Sequence, residues 1–239
     1  MTVHAVKTNQ DDIYKNLEAV VRKYAATTFL RPIADHTRDA FERACELVCN
    51  SGELVLDSGC GTGESTLHLA RKFKDVPVIG IDKSAVRLTK AGNSRQLELS
   101  TGGSCEVPPN AFWIRAELLD FWRLALEKVN VGEWKILHHA LYYPNPWPKE
   151  SEATRRFHLH PIFPTLLQLS PVTELRTNWD IYAREFAEAA RVASDCLSLK
   201  VHAECAAFSP ENPETAFERK YKNAGQELFR VLVRNNFQF

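Results

Sequence analysis

Short apolar runs alternate along this chain with segments of helical period. Leu54 to Leu56, Val76 to Ile81, Ala111 to Ile114 and Ile136 to Tyr143 are brief and rich in branched or aromatic residues, so they read as strands. Between them, segments near residues 64–73, 84–99 and 118–129 have helical character. Such alternation predicts an α/β fold, a doubly wound and mostly parallel sheet with helices on both faces. A helix over Thr37 to Cys49 is expected ahead of the first strand, and Tyr182, Phe186, Ala189, Ala190 and Ala193 fall at helical spacing after Trp179. The run Cys196 to Val201 then reads as a strand, and Leu228 to Val233 as the closing one. Turn chemistry marks Ser100 to Pro109 and Ser209 to Pro213 as loops, the first between elements of one sheet and hence no domain boundary. The expected organisation is an N-terminal helical segment over residues 1–50 and one domain over 51–239.

Composition narrows the class. With 239 residues, 44% apolar and 25% charged, the chain can bury a full core as one large domain. No apolar run approaches the roughly 20 residues of a membrane-spanning helix, and the polar start from Thr2 to Glu18 lacks the apolar stretch of a signal peptide. The expectation is a soluble cytoplasmic protein with no membrane partner. The six cysteines form no C-x-x-C pair, and Cys45 and Cys49 have no matching histidine pair, so reduced thiols and no metal are expected. Thirty basic residues balance thirty acidic ones, so any nucleic-acid binding must come from local patches.

Two blocks carry the chemistry. In the first, Leu56-Asp57-Ser58-Gly59-Cys60-Gly61-Thr62-Gly63 ends a strand and opens a helix. A dinucleotide turn would space its third glycine three residues after the second, whereas Gly63 comes two after Gly61, and Asp57 would repel a pyrophosphate. An acid there suits a cationic ligand instead. S-adenosyl-L-methionine has an ammonium, a sulfonium and no phosphate. Asp82 ends the next strand 19 residues past Gly63, where a carboxylate can accept from both ribose hydroxyls, and Glu117 follows the third strand, where it could sit beside the adenine. The alternative stays open that these are a glycine-rich turn and acids that merely end strands.

The second block, Tyr142-Tyr143-Pro144-Asn145-Pro146-Trp147-Pro148-Lys149, lies about 80 residues downstream of the first. Its prolines fix the backbone, Asn145 brings an amide, and Trp147 brings a surface for stacking on, or closing over, a base. A rigid surface turn with its tryptophan packed inward is the competing reading. Lys149, Arg155, Arg156, His158 and His160 form one locally basic segment, and Arg219, Lys220, Lys222, Arg230 and Arg234 another. Both could contact phosphates, or, with Glu150, Glu152, Glu218 and Glu227 among them, be ordinary solvated faces. His138 and His139 fall in an apolar strand pattern and read as core histidines.

With these residues in view, the chain resembles the bacterial tRNA (guanine-N7)-methyltransferases, class I methyltransferases of Rossmann-like fold. The glycine-rich block is similar to theirs, and Tyr143 to Lys149 resembles their Phe-Pro-Asp-Pro-Trp-x-Lys loop. The likeness continues in Arg155 and Arg156, in Thr177-Asn178-Trp179-x-x-Tyr182, and in Thr215-Ala216-Phe217-Glu218-Arg219 followed by Gly225, over about residues 52–235. The resemblance implies methyl transfer from S-adenosyl-L-methionine to N7 of a guanine in tRNA. It implies cofactor contacts from the turn (Asp57, Gly59, Gly61, Gly63), Asp82, Glu117 and Asn145, with Asn145 also catalytic. It implies tRNA contacts from Trp147, Lys149, Arg155, Arg156, Asn178, Thr215, Ala216, Phe217 and Glu218. Where the family has Asp, this chain has Asn145 and Asn178, each one charge fewer. Asn145-Pro146-Trp147 also looks like the Asn-Pro-Pro-aromatic loop of amino-group methyltransferases, which leaves an exocyclic amine as an alternative target. A non-catalytic RNA-binding paralogue is a further alternative, and an NAD-dependent oxidoreductase a distant one. Monomer and homodimer are both compatible with the sequence.

Overall fold

The four apolar runs form the strands they predict, β1 (Glu53–Ser58), β2 (Val78–Asp82), β3 (Ala111–Arg115) and β4 (Lys135–Tyr142). The computed structural model describes residues 6–48, 51–93, 98–99, 103–104 and 107–236. Three further strands, β5 (Val172–Thr177), β6 (Val201–Phe208) and β7 (Leu228–Asn235), complete a seven-stranded sheet of order β3-β2-β1-β4-β5-β7-β6. The pairs β1–β2, β1–β4 and β2–β3 are parallel, while β7 runs antiparallel to both β5 and β6. This is the doubly wound, mostly parallel sheet expected of the fold class.

Contacts group residues Pro32–Ala140 into one unit, and the residues up to Arg31 together with those from Leu141 onward into another. The first unit holds α2 (Asp35–Val48), α3 (Glu64–Lys72), α4 (Ala85–Asn93) and α5 (Leu118–Asn130). Its core is Leu54, Leu56, Ile79 and Ile81 from the strands with Leu67, Leu69, Phe121 and Trp122 from the helices, all buried. Parallel strands covered on both faces are apolar almost without interruption, which is why these runs stand out in the sequence. The expected helix near 84–99 is α4 over its first part; residues 94–97, half of the loop expected at Ser100 to Pro109, and Cys49 and Cys105 lie outside the described residues. Glu98–Leu99 and Gly103–Ser104 form a short antiparallel ribbon.

The second unit is organised on α7 (Asp180–Leu197), which packs against β5, β6 and β7, with α1 (Leu17–Ala25) laid along it through buried Leu17 and Val21. Phe186 of α7 meets Phe163 of the short α6 (Phe163–Leu167) edge to face, with centroids 5.3 Å apart. Such a pair adds about 0.5–1.5 kcal/mol beyond its burial. α8 (Ala216–Asn223) precedes β7. One expectation is corrected here, and one strand carries no mark in the sequence. Cys196 belongs to α7, which ends on Ser198 in a left-handed cap (φ 53°), so the strand starts only at Val201. β5 was not foreseen at all, because Glu174 and Arg176 interrupt its apolar pattern. Both are buried, with Arg176 bonded to Glu174 at 2.8 Å and to Glu218 at 2.8 Å.

Candidate active site

The glycine block makes the turn it predicts. Gly59, Gly61 and Gly63 have φ of 78°, 59° and 79°, a region that side chains with a Cβ avoid. The N–H groups of Gly59 and Cys60 donate to the Ile81 carbonyl at 2.7 and 3.0 Å, which ties the turn to the end of β2. Asp57 is 1% exposed, and its Oδ2 accepts from the Ser65 and Thr66 hydroxyls at 2.7 and 2.6 Å. This carboxylate therefore braces the first turn of α3. Asp82 reaches the crest of the turn: its Oδ2 accepts from Gly61 N–H at 3.1 Å and its Oδ1 from Ser84 N–H at 2.7 Å, with Arg87 at 3.6 Å. A Cβ on Gly61 would meet nothing within 4 Å, so the crest opens on free space. Glu117 occupies the N-cap position of α5, yet its side chain makes no capping bond. Burial, with Asp57 and Asp82 nearby, pushes the Cys60 thiol well up, so it stays a small neutral side chain.

His138 and His139 are core residues, as their strand pattern predicts. His139 is wholly buried, and burial together with His138 depresses it to about 3. Its Nε2 is hydrogen-bonded to Ser58 Oγ at 2.8 Å, and Ser58 Oγ also accepts from Trp122 Nε1 at 2.9 Å.

In the other unit, Tyr143 to Lys149 is sharply bent. Tyr143 and Trp147 adopt φ of 51° and 45°, a left-handed conformation that costs a residue with a Cβ about 1–2 kcal/mol. Tyr143 N–H donates to the Arg176 carbonyl at 2.7 Å, and Asn145 Oδ1 accepts from Trp147 N–H at 3.3 Å. Asn145 and Lys149 are exposed and Trp147 is half-buried, with the exposed Arg155 guanidinium 4.6 Å from its ring centroid. Asn178 is half-buried and donates to Gln226 Oε1 at 3.1 Å.

Arg156 and Glu218 correct the sequence reading. Arg156 is fully buried; it pairs with Glu185 and donates to the Trp147 carbonyl at 3.2 and 2.9 Å, so it cannot meet a phosphate. His158 beside it is buried as well, which breaks up the expected basic segment. Thr215 is buried and caps α8, accepting from Glu218 N–H at 3.0 Å, while Glu218 is buried on Arg176. Among that group Ala216 and Phe217 are exposed, Phe217 by 51%. In the C-terminal basic segment Lys222 is engaged with the Pro210 carbonyl and Arg234 with Glu204. Sequence reasoning missed Tyr143 and Tyr221 as neighbours of Phe217, at 6.2 and 6.1 Å between centroids. The signal available for Tyr221 was its i,i+4 spacing from Phe217 on α8.

The model of the family described as "Putative methyltransferase" (Methyltransf_4) matches residues 51–231. The tRNA (guanine-N(7)-)-methyltransferase of Alcanivorax borkumensis is 33% identical over 187 residues, which cover 74% of this chain and 70% of that protein. This chain belongs to the tRNA (guanine-N7)-methyltransferase family. The family enzyme of Malacoplasma penetrans is 24% identical, over 78% of this chain and 81% of its own. That of Thermotoga maritima is 25% identical over 79% of this chain, which spans 56% of that longer protein. The solved 16S rRNA methyltransferase KamB superposes with a TM-score of 0.52 at 15% identity, over 87% of this chain and 96% of KamB. The aminoglycoside resistance methyltransferase NpmB1 also scores 0.52, at 19% identity over 82% and 93%. These two likenesses are of fold. For this family member S-adenosyl-L-methionine is the cofactor, and the open crest with Asp82 and Glu117 at the ends of β2 and β3 fits it. Among the described residues no helix is long and apolar enough to cross a membrane, and no cluster of histidine, cysteine or acidic residues could hold a metal.

Proposed function

We propose that this protein transfers the methyl group of S-adenosyl-L-methionine to N7 of a guanine in tRNA, in the cytoplasm. The observation that carries the reading is the glycine turn with Asp82 at its crest, together with Glu117 at the start of α5, whose side chain makes no capping bond. These lie at the carboxyl ends of β1, β2 and β3, where ligands of open α/β sheets bind. Asp82 would receive the ribose hydroxyls, Glu117 the adenine, and the Gly59–Gly63 turn the methionine part, with Asp57 keeping that turn in shape through Ser65 and Thr66. The bound cofactor supplies an electrophilic methyl on a sulfonium.

Guanine N7 has an in-plane lone pair and no proton, so no general base is required. The protein's part is alignment and exclusion of water. Asn145 is assigned to the base and the methyl donor, since it is exposed on the bent loop and its Oδ1, steadied by the Trp147 N–H, keeps a second lone pair to accept from a base amino group, as a carboxylate there would. A neutral residue there is compatible with a reaction that removes no proton. Trp147 offers stacking surface, with Arg155 on its ring, while Lys149, Asn178, Ala216 and Phe217 remain as tRNA contacts. Arg156, Thr215 and Glu218 act by holding these residues. The domain responsible is taken as residues 51–239.

Methyl transfer from radiolabelled cofactor to unmodified total tRNA, followed by nucleoside mass spectrometry, tests the proposal. Labelled N7-methylguanosine is expected. Label on an exocyclic amine, or cofactor binding without label in any tRNA nucleoside, would overturn it.

A further inference from the structure

The bend of the Tyr143–Lys149 loop is held from far away in sequence. Its prolines at 144, 146 and 148 lack N–H groups, so the loop has few donors with which to close on itself. It is tied instead through its carbonyls. Trp147 O accepts from Arg156, Arg156 Nη1 donates to both Glu185 oxygens at 2.9 and 2.7 Å, and Gln10 closes the ring. Gln10 Oε1 accepts from Arg156 Nη2 at 2.9 Å, and its Nε2 donates to Glu185 Oε1 at 2.7 Å. The next carbonyl, Pro148 O, accepts from Thr8 Oγ1 at 2.7 Å, and Glu150 N–H donates to Asn9 Oδ1 at 3.1 Å. Tyr14 N–H donates to Glu185 at 2.7 Å, which fixes the far end of the segment.

We infer that residues 8–14 are a strap that sets the shape of the methyl-transfer loop, with Gln10, Arg156 and Glu185 as positioning residues. The inference rests on the proposed function for its consequence in catalysis. A buried ion pair is seldom needed for stability, because apolar replacements of both partners are often as stable. What this pair does that apolar side chains could not is donate to the Trp147 carbonyl and hold a left-handed residue in place. Thr8 points the same way: it is exposed, so its bond adds little to folding, yet it is spent on the adjacent loop carbonyl.

The test uses the full chain and the variants Thr8→Val, Thr8→Ser and Gln10→Leu, with steady-state kinetics and amide hydrogen exchange. Thr8→Val and Gln10→Leu are expected to lower kcat about tenfold while KM for the cofactor stays within about twofold, the signature of misalignment. Exchange at the Trp147 and Glu150 amides should rise about fivefold, with the Gly59–Gly63 turn unchanged. Thr8→Ser keeps the donor and should restore both readouts. Unchanged exchange in both variants overturns the strap; raised exchange with unchanged kcat overturns its positioning role. A wild-type protein that methylates no tRNA would instead refute the proposed function, and the exchange pattern would still decide whether the strap shapes the loop.

Discussion

Glu185→Gln is the substitution whose effect the structure specifies most tightly. Glu185 and Arg156 are both wholly buried with 2.7 Å between charged atoms, and His158 Nε2 lies 2.8 Å from the same carboxylate. Glutamine keeps the shape but removes the charge, so the guanidinium is left buried and uncompensated, which typically costs about 3–5 kcal/mol. In a domain of this size about 1 kcal/mol moves Tm by about 2–4 °C, so a fall of about 10 °C is expected in calorimetric or circular-dichroism melting. The double variant Arg156→Met/Glu185→Leu removes both charges and should lose far less than the sum of the two single changes. Acid adds a second arm. Burial alone would raise the Glu185 carboxyl, but His158 and the Arg156 guanidinium overcome it and hold it at about 2, against an ordinary 4.5. Its contribution is therefore fully present above pH 4.5 and lost as the pH falls from 4.5 toward 2. A Glu185→Gln protein that melts within about 2 °C of wild type at neutral pH, or one whose stability falls as steeply as wild type below pH 4.5, would refute this account of the buried pair.

Asp82→Ala should weaken cofactor binding about tenfold or more, the worth of hydrogen bonds to a charged acceptor, and Asp57→Ala should weaken it through a loosened turn. Calorimetric affinities near wild type for both would remove the cofactor assignment. Asn145→Asp should keep or raise N7-methylguanosine formation in the label-transfer assay, because no step needs that position neutral; complete loss would point to a different target base. Burial and His138 hold His139 at about 3 against an ordinary 6.5, so it is neutral in the folded chain. Its share of stability is present above pH 6.5 and lost as the pH falls toward 3, with a limiting slope of about 1.4 kcal/mol per pH unit. Urea unfolding at pH 7 and pH 5 should show that loss in wild type and a smaller one in His139→Gln.

What the sequence reveals and what it hides follow from where side chains find their partners. β1 to β4 and the glycine turn are legible because each is decided locally: parallel strands buried on both faces need continuous apolar runs, and a turn with three left-handed positions needs three glycines. β5 and β6 are not. In β5, Glu174 and Arg176 break the pattern, and the partner that makes Arg176 tolerable inside, Glu218, lies 42 residues away. In β6, at the end of the sheet order, exposed His202 and Glu204 leave no run to recognise.

The same reasoning explains Arg155 and Arg156, adjacent and identical in sequence, one exposed on Trp147 and the other fully buried. Charge alone assigns both to the nucleic acid. Yet three prolines within five residues leave the loop few donors of its own, so its carbonyls must be satisfied from outside or left to water. A guanidinium, with five donors in a rigid fork, suits that task, provided that a carboxylate can follow it into the interior. Glu185 stands 29 residues on, on the face of α7 that carries the buried Ala183, Phe186, Ala187, Ala189 and Ala190, while Arg184 and Glu188 reach outward. An acid on the apolar face of a helix is the readable sign of a buried partner. Weighed together with the prolines, it would have moved Arg156 from the surface to the core.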